Sequence, residues 1–238
     1  MTDQADSTTS AAGSAIRVLL ADDEQMIRHG VRLILRHAEG IDVVGEAANG
    51  AEAVQLAAER RPDVVLLDIR MPVLDGLAAI DRLCVLDPAP QVVMLTTFGD
   101  EENVLRALAA GAAGFLLKDE GPQELISAVR AAAAGDAVLS PGVTGTVIQR
   151  MLRGDAASVT NSAKSLNGPT DQRLAGLTAR EREVLTMLGE GLSNLGIGKR
   201  LGIGVGTVKT HVRSILDKTG SDSRVQAALL AHQAGLMG

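Results

Sequence analysis

Five polar residues stand where short apolar runs stop. Ile16-Arg17-Val18-Leu19-Leu20-Ala21 runs into Asp22-Asp23, and Val64-Val65-Leu66-Leu67 runs into Asp68. Gln91-Val92-Val93-Met94-Leu95 runs into Thr96, and Gly114-Phe115-Leu116-Leu117 into Lys118. Taken singly, each reads equally well as a cap or a solvated loop residue. Taken together they describe chemistry. Three crowded carboxylates raise one another's pKa, and a hard divalent cation such as Mg²⁺ relieves that repulsion. Lys118 adds a fixed positive charge and Thr96 a hydroxyl. This is equipment for placing a phosphoryl group on a carboxylate, with an Asp as nucleophile and the cations neutralising the transferring oxygens. An Asp-nucleophile phosphohydrolase would use the same parts. Such enzymes usually carry a second Asp two residues after the nucleophile as general acid, and here that position is Arg70.

The runs that carry these residues are too short for typical helices and rich in Val and Leu, so they read as strands buried on both faces. Val43–Ala47 is a fifth. Helical patterns separate them: Ile27 to Leu35, Ala53 to Arg60, Leu77 to Leu86, Asp100 to Ala110 and Pro122 to Ala134. Pro122 suits a first helical turn, and Gly111 and Gly135 suit the left-handed residue after a helix. Strand and helix alternate five times. The expected fold is therefore an α/β doubly wound, five-stranded parallel sheet whose carboxyl edge gathers the polar residues.

Composition bounds the rest. The chain has 238 residues, 46% of them hydrophobic but only 1% aromatic, so its cores must be built from aliphatic side chains. A single cysteine excludes an internal disulfide and fits a reducing compartment. Cys84 falls in an apolar helical pattern and reads as an inert thiol. Residues 1–14 are polar and read as a disordered tail; no signal segment or bilayer-length apolar run is seen, so a cytoplasmic, membrane-free protein is expected. Charge is uneven. From Asp171 onward nine Lys/Arg face six Asp/Glu, 9 − 6 = +3, whereas the residues before carry 14 − 23 = −9. An acidic unit followed by a basic one points to two domains with different partners.

The last third reads as helices only. Thr178-Ala179-Arg180-Glu181 is a capping box opening a helix through Val184, Leu185 and Leu188. Ser193 opens a second, short helix to Leu201, and Gly202 to Gly206 forms a turn. Thr207 to Leu216 is a third helix, apolar through Val208, Val212 and Ile215, with Lys209, Thr210 and Arg213 on another face. Two helices joined by a glycine-bearing turn, the second of them basic, describe a helix-turn-helix. His211 and His232 lack partners at ligand spacing and read as packing or surface residues.

Residues 16–134 resemble the receiver domain of bacterial response regulators. The resemblance rests on Asp22-Asp23, the segment Asp68-Ile69-Arg70-Met71-Pro72-Val73-Leu74-Asp75-Gly76, Thr96, and Phe115 ahead of Lys118. Asp119 follows that Lys where many receivers have Pro, a form familiar in the NarL/FixJ subgroup. The resemblance implies a flavodoxin-like fold in which Asp68 accepts phosphate from a cognate histidine kinase. It implies Mg²⁺ held by Asp23, Asp68 and the Arg70 backbone carbonyl, with Asp22 acting through water. Thr96 and Phe115 would be the switch pair, with Lys118 beside them.

Leu177 to Leu185, Gly191-Leu192-Ser193-Asn194 and Thr207 to Val212 resemble the LuxR-type DNA-binding domain. That implies Lys209, Thr210 and Arg213 facing the major groove, where Lys and Arg favour guanine, and Thr207 and Lys218 as phosphate contacts. The expected organisation is a tail at 1–14, a receiver at 15–135, a linker with a short helix (Thr146 to Leu152) at 136–175, and an all-α helix-turn-helix domain at 176–238. The expected function is a promoter-binding transcription factor, not an enzyme, that dimerises on phosphorylation of Asp68, with RNA polymerase as a further partner. A receiver whose output is protein binding is the other alternative. One departure stands out. The LuxR pattern usually has Glu three residues after Ser193 and Ala two beyond that; this chain has Gly196 and Gly198. Both soften the helix, and Gly196→Glu with Gly198→Ala is expected to stabilise it.

Overall fold

The computed structural model describes residues 15–97, 101–140 and 170–236. The expected helix at Thr146 to Leu152 and the tail at 1–14 lie outside the described residues. Six strands form one all-parallel sheet in the order β2-β1-β3-β4-β5-β6. They are β1 (Ile16–Ala21), β2 (Ile41–Ala47), β3 (Val64–Asp68), β4 (Gln91–Thr96), β5 (Gly114–Leu117) and β6 (Val138–Leu139). Five helices cover it: α1 (Gln25–Arg36), α2 (Gly50–Arg60), α3 (Gly76–Leu83), α4 (Glu101–Ala109) and α5 (Pro122–Ala134).

β3 lies between β1 and β4 and is buried along its whole length, as its unbroken apolar run demands. Two apolar layers flank the sheet. One contains Leu19, Val65, Leu67, Met94 and Phe115, and the other Val18, Leu20, Leu66, Val93 and Leu95. Alternate residues of the same strands thus face opposite helical layers. Asn49 and Asp75 cap α2 and α3 by accepting from Glu52 N and Ala78 N.

The expectation of five strands is corrected to six. β6 has two residues, too few for any periodicity to reveal. It is held by pairing with β5 and by Ser140, whose hydroxyl donates to Phe115 O and accepts from Leu117 N.

The C-terminal unit is all helix: α6 (Thr170–Ala175), α7 (Ala179–Gly189), α8 (Asn194–Leu201), α9 (Val205–Thr219) and α10 (Arg224–Gln233). Its core joins Leu174, Leu177, Val184, Leu188, Ile197, Val208, Ile215 and Leu230. The capping box on α7 forms in both directions between Thr178 and Glu181. No helix among the described residues is long and apolar enough to cross a membrane.

Gly198 changes the expectation for α8. A Cβ built there would lie 2.8 Å from the Ile203 carbonyl oxygen, whereas one at Gly196 meets nothing nearer than 3.5 Å. The glycine at 198 therefore lets the turn after α8 fold back closely against it. Gly198→Ala gains about 1 kcal/mol of helix propensity but forces overpacking against backbone, worth about 1–3 kcal/mol. We expect this single substitution to lower the unfolding midpoint of the C-terminal unit by several degrees, read by differential scanning calorimetry of the full chain. A rise would show that the turn relaxes without cost.

Candidate phosphoryl-transfer site and nucleic-acid interface

β1 and β3 are neighbours, but the helices that follow them cover opposite faces, and a crevice opens at their carboxyl ends. Asp22 and Asp23 follow β1, and Asp68 is the last residue of β3. Their carboxylates lie within 4.8 Å of one another. Lys118, just past β5, places Nζ 2.6 Å from Asp22 Oδ2 and 3.2 Å from Asp68 Oδ2. A cavity of about 370 Å³ opens among Asp23, Asp68, Arg70, Thr96 and Lys118.

Two backbone features shape the floor of this cavity. A Cβ at Gly76 would lie 2.0 Å from the Asp68 carbonyl oxygen. Only glycine therefore lets the start of α3 pack on the end of β3. Between them Val73 takes φ 68°, a conformation that costs a β-branched residue strain. On the other side the Arg28 guanidinium donates to the Asp22 carbonyl at 2.5 Å and approaches Glu46 of β2 at 3.8 Å, steadying the acidic loop.

The electrostatics follow from burial. Burial pushes the Asp68 carboxyl above its ordinary range, the neighbouring Asp22 pushes it further, and Lys118 opposes both. Burial alone would lower the Lys118 pKa, but its pairing with Asp22 and Asp68 more than offsets this and raises it. Lys118 is thus a permanent cation. Asp22 Oδ2 is buried and has the Lys118 ammonium, 2.6 Å away, as its charged partner. Three carboxylates against one ammonium, −3 + 1, leave a formal charge of −2. Oxygen donors and that residual charge fit a hard divalent cation.

In the C-terminal unit α9 presents Lys209, Thr210 and Arg213 outward, opposite Val208, Val212 and Ile215. That face does not point into open solvent throughout. Lys209 Nζ donates to the Ala133 carbonyl at the end of α5, at 3.1 Å. A second cavity, of about 480 Å³, separates Lys209 and Arg213 from the loop Pro88-Ala89-Pro90.

Two matches to family models divide the chain in the same way. Residues 18–130 match the response regulator receiver domain, and residues 175–231 match bacterial regulatory proteins of the luxR family. The nitrate/nitrite response regulator protein NarL of Escherichia coli is 40% identical over 216 residues, 91% of this chain and 94% of that one. The transcriptional regulatory protein LiaR of Bacillus subtilis is 37% identical over 222 residues, 93% of this chain and 99% of that one. Among solved structures, the response regulator ChrA of a heme-sensing two-component system is 36% identical with a TM-score of 0.50, covering 94% of this chain and all of that one. The chain is a response regulator of the NarL/FixJ family. It joins a receiver to a LuxR-type helix-turn-helix domain and is homologous to DNA-binding transcriptional regulators.

Within this regulator the residues singled out in the receiver sequence come together: Asp22, Asp23, Asp68 and Lys118 by direct proximity, Arg70 and Thr96 on the same cavity. Phe115 is fully buried one layer below, in an apolar cluster that also contains Val225 and Leu229 of α10. Thr207, Lys209, Thr210 and Arg213 are exposed on α9, and the Thr210 hydroxyl donates to Gly206 O of its own helix. Lys218 lies elsewhere: its Nζ donates to both Glu181 carboxylate oxygens at 2.8 Å. Cys84 sits between the units, and burial, with Asp222 and Asp81 nearby, pushes its thiol up to about 12.

Sequence reasoning missed the docking of the two domains. Gln226 Nε2 donates to the Leu108 and Ala109 carbonyls at the end of α4, at 3.2 and 2.7 Å. Val225 and Leu229 pack into the receiver core beside it. One signal was present: a Gln between Val225 and Ala227, on the apolar side of a helix.

Proposed function

We propose that this regulator is a transcription factor switched by phosphorylation of Asp68. The reading is carried by one observation: Lys118 bridges two buried carboxylates at the mouth of a cavity that a phosphoryl group can enter. An Asp68 carboxylate oxygen attacks phosphorus of a phosphohistidine on a cognate kinase; the P–N bond breaks and the histidine leaves with its electron pair. Asp23, Asp68 and the Arg70 carbonyl would hold Mg²⁺, with Asp22 acting through water, and the ion would neutralise charge on the transferring oxygens. Lys118 then pairs with the new phosphoryl oxygens, a stronger charge-assisted contact than it makes with one carboxylate. Thr96 turns its hydroxyl toward the same group, and Phe115 repacks beneath it.

The apolar cluster gives that repacking a route. Phe115, α4 and the docked face of α10 belong to one continuous layer. A change at Phe115 loosens the docking, freeing Lys209 and Arg213 to read base edges in the major groove, with Thr210 beside them and Thr207 on phosphate. Lys218 contacts phosphate only through the one ammonium N–H that its two bonds to Glu181 leave. The freed domains pair as a homodimer on promoter DNA in the cytoplasm, where RNA polymerase is the further partner. An output by protein binding alone would leave the basic face of α9 without a task. Phosphohydrolase turnover is disfavoured by Arg70, which cannot protonate a leaving group.

The test is DNA selection from genomic fragments with and without acetyl phosphate and Mg²⁺, followed by affinity measurement on the selected site. Phosphorylation is expected to raise affinity at least tenfold. Lys209→Ala is expected to lose about 1–3 kcal/mol of binding, concentrated on one base pair. Equal affinity in both phosphorylation states would overturn the switch, and sustained release of phosphate would restore the phosphohydrolase reading.

A further inference from the structure

Helix α8, the first of the helix-turn-helix, begins with an incomplete cap. Ser193 accepts from Gly196 N at 3.1 Å, but the first turn carries no acidic residue. Where a capping box would place a carboxylate, this chain has Gly196. The positive end of the helix is nevertheless met by a carboxylate from the other domain. Asp136 Oδ1, just beyond the end of α5, accepts from the Asn194 backbone N–H at 2.8 Å, across 58 residues of chain. The Asn194 side chain returns the contact by donating to the Ala134 carbonyl at 2.7 Å. Arg224, with a side chain only 10% exposed, closes the group. It donates to Asn194 Oδ1 at 2.7 Å and to Gly135 O at 3.2 Å, and stands 3.6 Å from Asp136 Oδ1.

We infer that the receiver caps α8 in trans through Asp136, so that domain docking and the integrity of the first helix-turn-helix helix form a single equilibrium. A helix N-terminus favours a negative charge within its first turn, and an uncapped N–H removed from its acceptor frays. Docked, α8 has its carboxylate; undocked, this sequence offers none. Separation of the domains therefore loosens α8 as well as exposing α9. The same logic says how to uncouple them. The ideal Cβ at position 196 has no neighbour nearer than Ser193 Oγ at 3.5 Å, so a longer side chain can enter there. Gly196→Glu places a carboxylate in the first turn of α8, where it accepts from the Ser193 N–H and meets the positive end of the helix without Asp136. The inference depends on the docked geometry alone, not on phosphoryl chemistry or DNA.

Native-state hydrogen exchange on the full unphosphorylated chain tests it, comparing wild type, Asp136→Ala, Gly196→Glu and the double variant. In the wild-type background Asp136→Ala is expected to speed exchange at Asn194 and Ile197 roughly tenfold, as loss of a charge-assisted hydrogen bond requires. In the Gly196→Glu background the same substitution is expected to change exchange at Ile197, whose N–H bonds Ser193 O within the helix, less than about threefold. Asp136→Asn, which keeps an acceptor oxygen and removes only the charge, should shift exchange in the same direction if the charge matters. Phosphoryl uptake by acetyl phosphate should be equal in all of them, separating this test from that of the phosphorylation switch. Equal acceleration by Asp136→Ala in both backgrounds, or none in wild type, overturns the inference.

Discussion

Asp68→Asn is expected to abolish phosphoryl uptake while leaving the fold intact. The carboxamide has nearly the same shape as the carboxylate but is no nucleophile and a poor ligand for a divalent cation. Lys118 keeps its 2.6 Å approach to Asp22, so the strand ends remain tied. The direction of the Asp68 shift makes the stability consequence specific. Burial and Asp22 raise its folded pKa above the ordinary value, so ionisation of Asp68 costs the folded state stability as pH rises through that window. Removing the charge is therefore expected to leave the receiver as stable at neutral pH, or more so, despite the lost Lys118 contact. Intact-mass measurement after acetyl phosphate and Mg²⁺, with calorimetry on the same samples, checks both halves. Asp23→Ala and chelation of the metal should each slow uptake in the wild-type chain. A phosphoryl adduct on Asp68→Asn at the wild-type rate would show that another residue is the acceptor.

Glu181→Ala is expected to cause the largest loss of stability in the DNA-binding domain. Its side chain is 5% exposed and binds three partners at once: Lys218 Nζ, the Ser214 hydroxyl at 2.6 Å and the Thr178 N–H at 2.7 Å. It thus joins the start of α7 to two turns of α9. Hydrogen bonds to a buried carboxylate are worth about 1.5–3 kcal/mol each before the partners find water. Lys218 is over a third exposed and keeps its hydration, so the net loss is nearer about 3 kcal/mol than the sum. For a domain of this size that is on the order of 10–20 °C in unfolding midpoint.

Acid should reproduce the effect. Lys218, then Ser214 and the Thr178 N–H, hold the Glu181 carboxyl down to about 2, against an ordinary 4.5. The stability this provides is present in full above pH 4.5 and is lost as pH falls from there toward 2. Circular dichroism during acid titration should show the wild-type domain losing stability across that window and Glu181→Gln changing little there. A midpoint for Glu181→Ala within two degrees of wild type would remove Glu181 from this role.

The polar cluster of the receiver was legible in the sequence because a parallel sheet makes it so. Its buried strands are short apolar runs, and a charge appears only where a run meets the carboxyl edge. Asp22, Asp23, Asp68, Thr96 and Lys118 each end such a run, and the alternation of strands and helices requires those ends to share one edge. Helix ends, first and last residues alike, were legible for a similar local reason. Thr178 with Glu181, Ser193, Pro122 and Gly135 act within four residues of themselves, and the structure finds each in that position.

What tertiary structure alone decided lies between residues far apart in the chain. β6 is too short for a pattern and exists because β5 offers an edge. Lys218 is a phosphate-contact candidate by resemblance, and only the fold sets its ammonium on Glu181, 37 residues away. Gly198 looked like a weak helix residue, yet the turn at Ile203 needs its missing Cβ. The docking of the domains through Gln226, Asp136, Asn194 and Arg224 leaves no periodic trace. Such contacts are single polar pairings across 58 to 118 residues. A hydrophobic pattern records which face of an element is buried, not which distant element buries it.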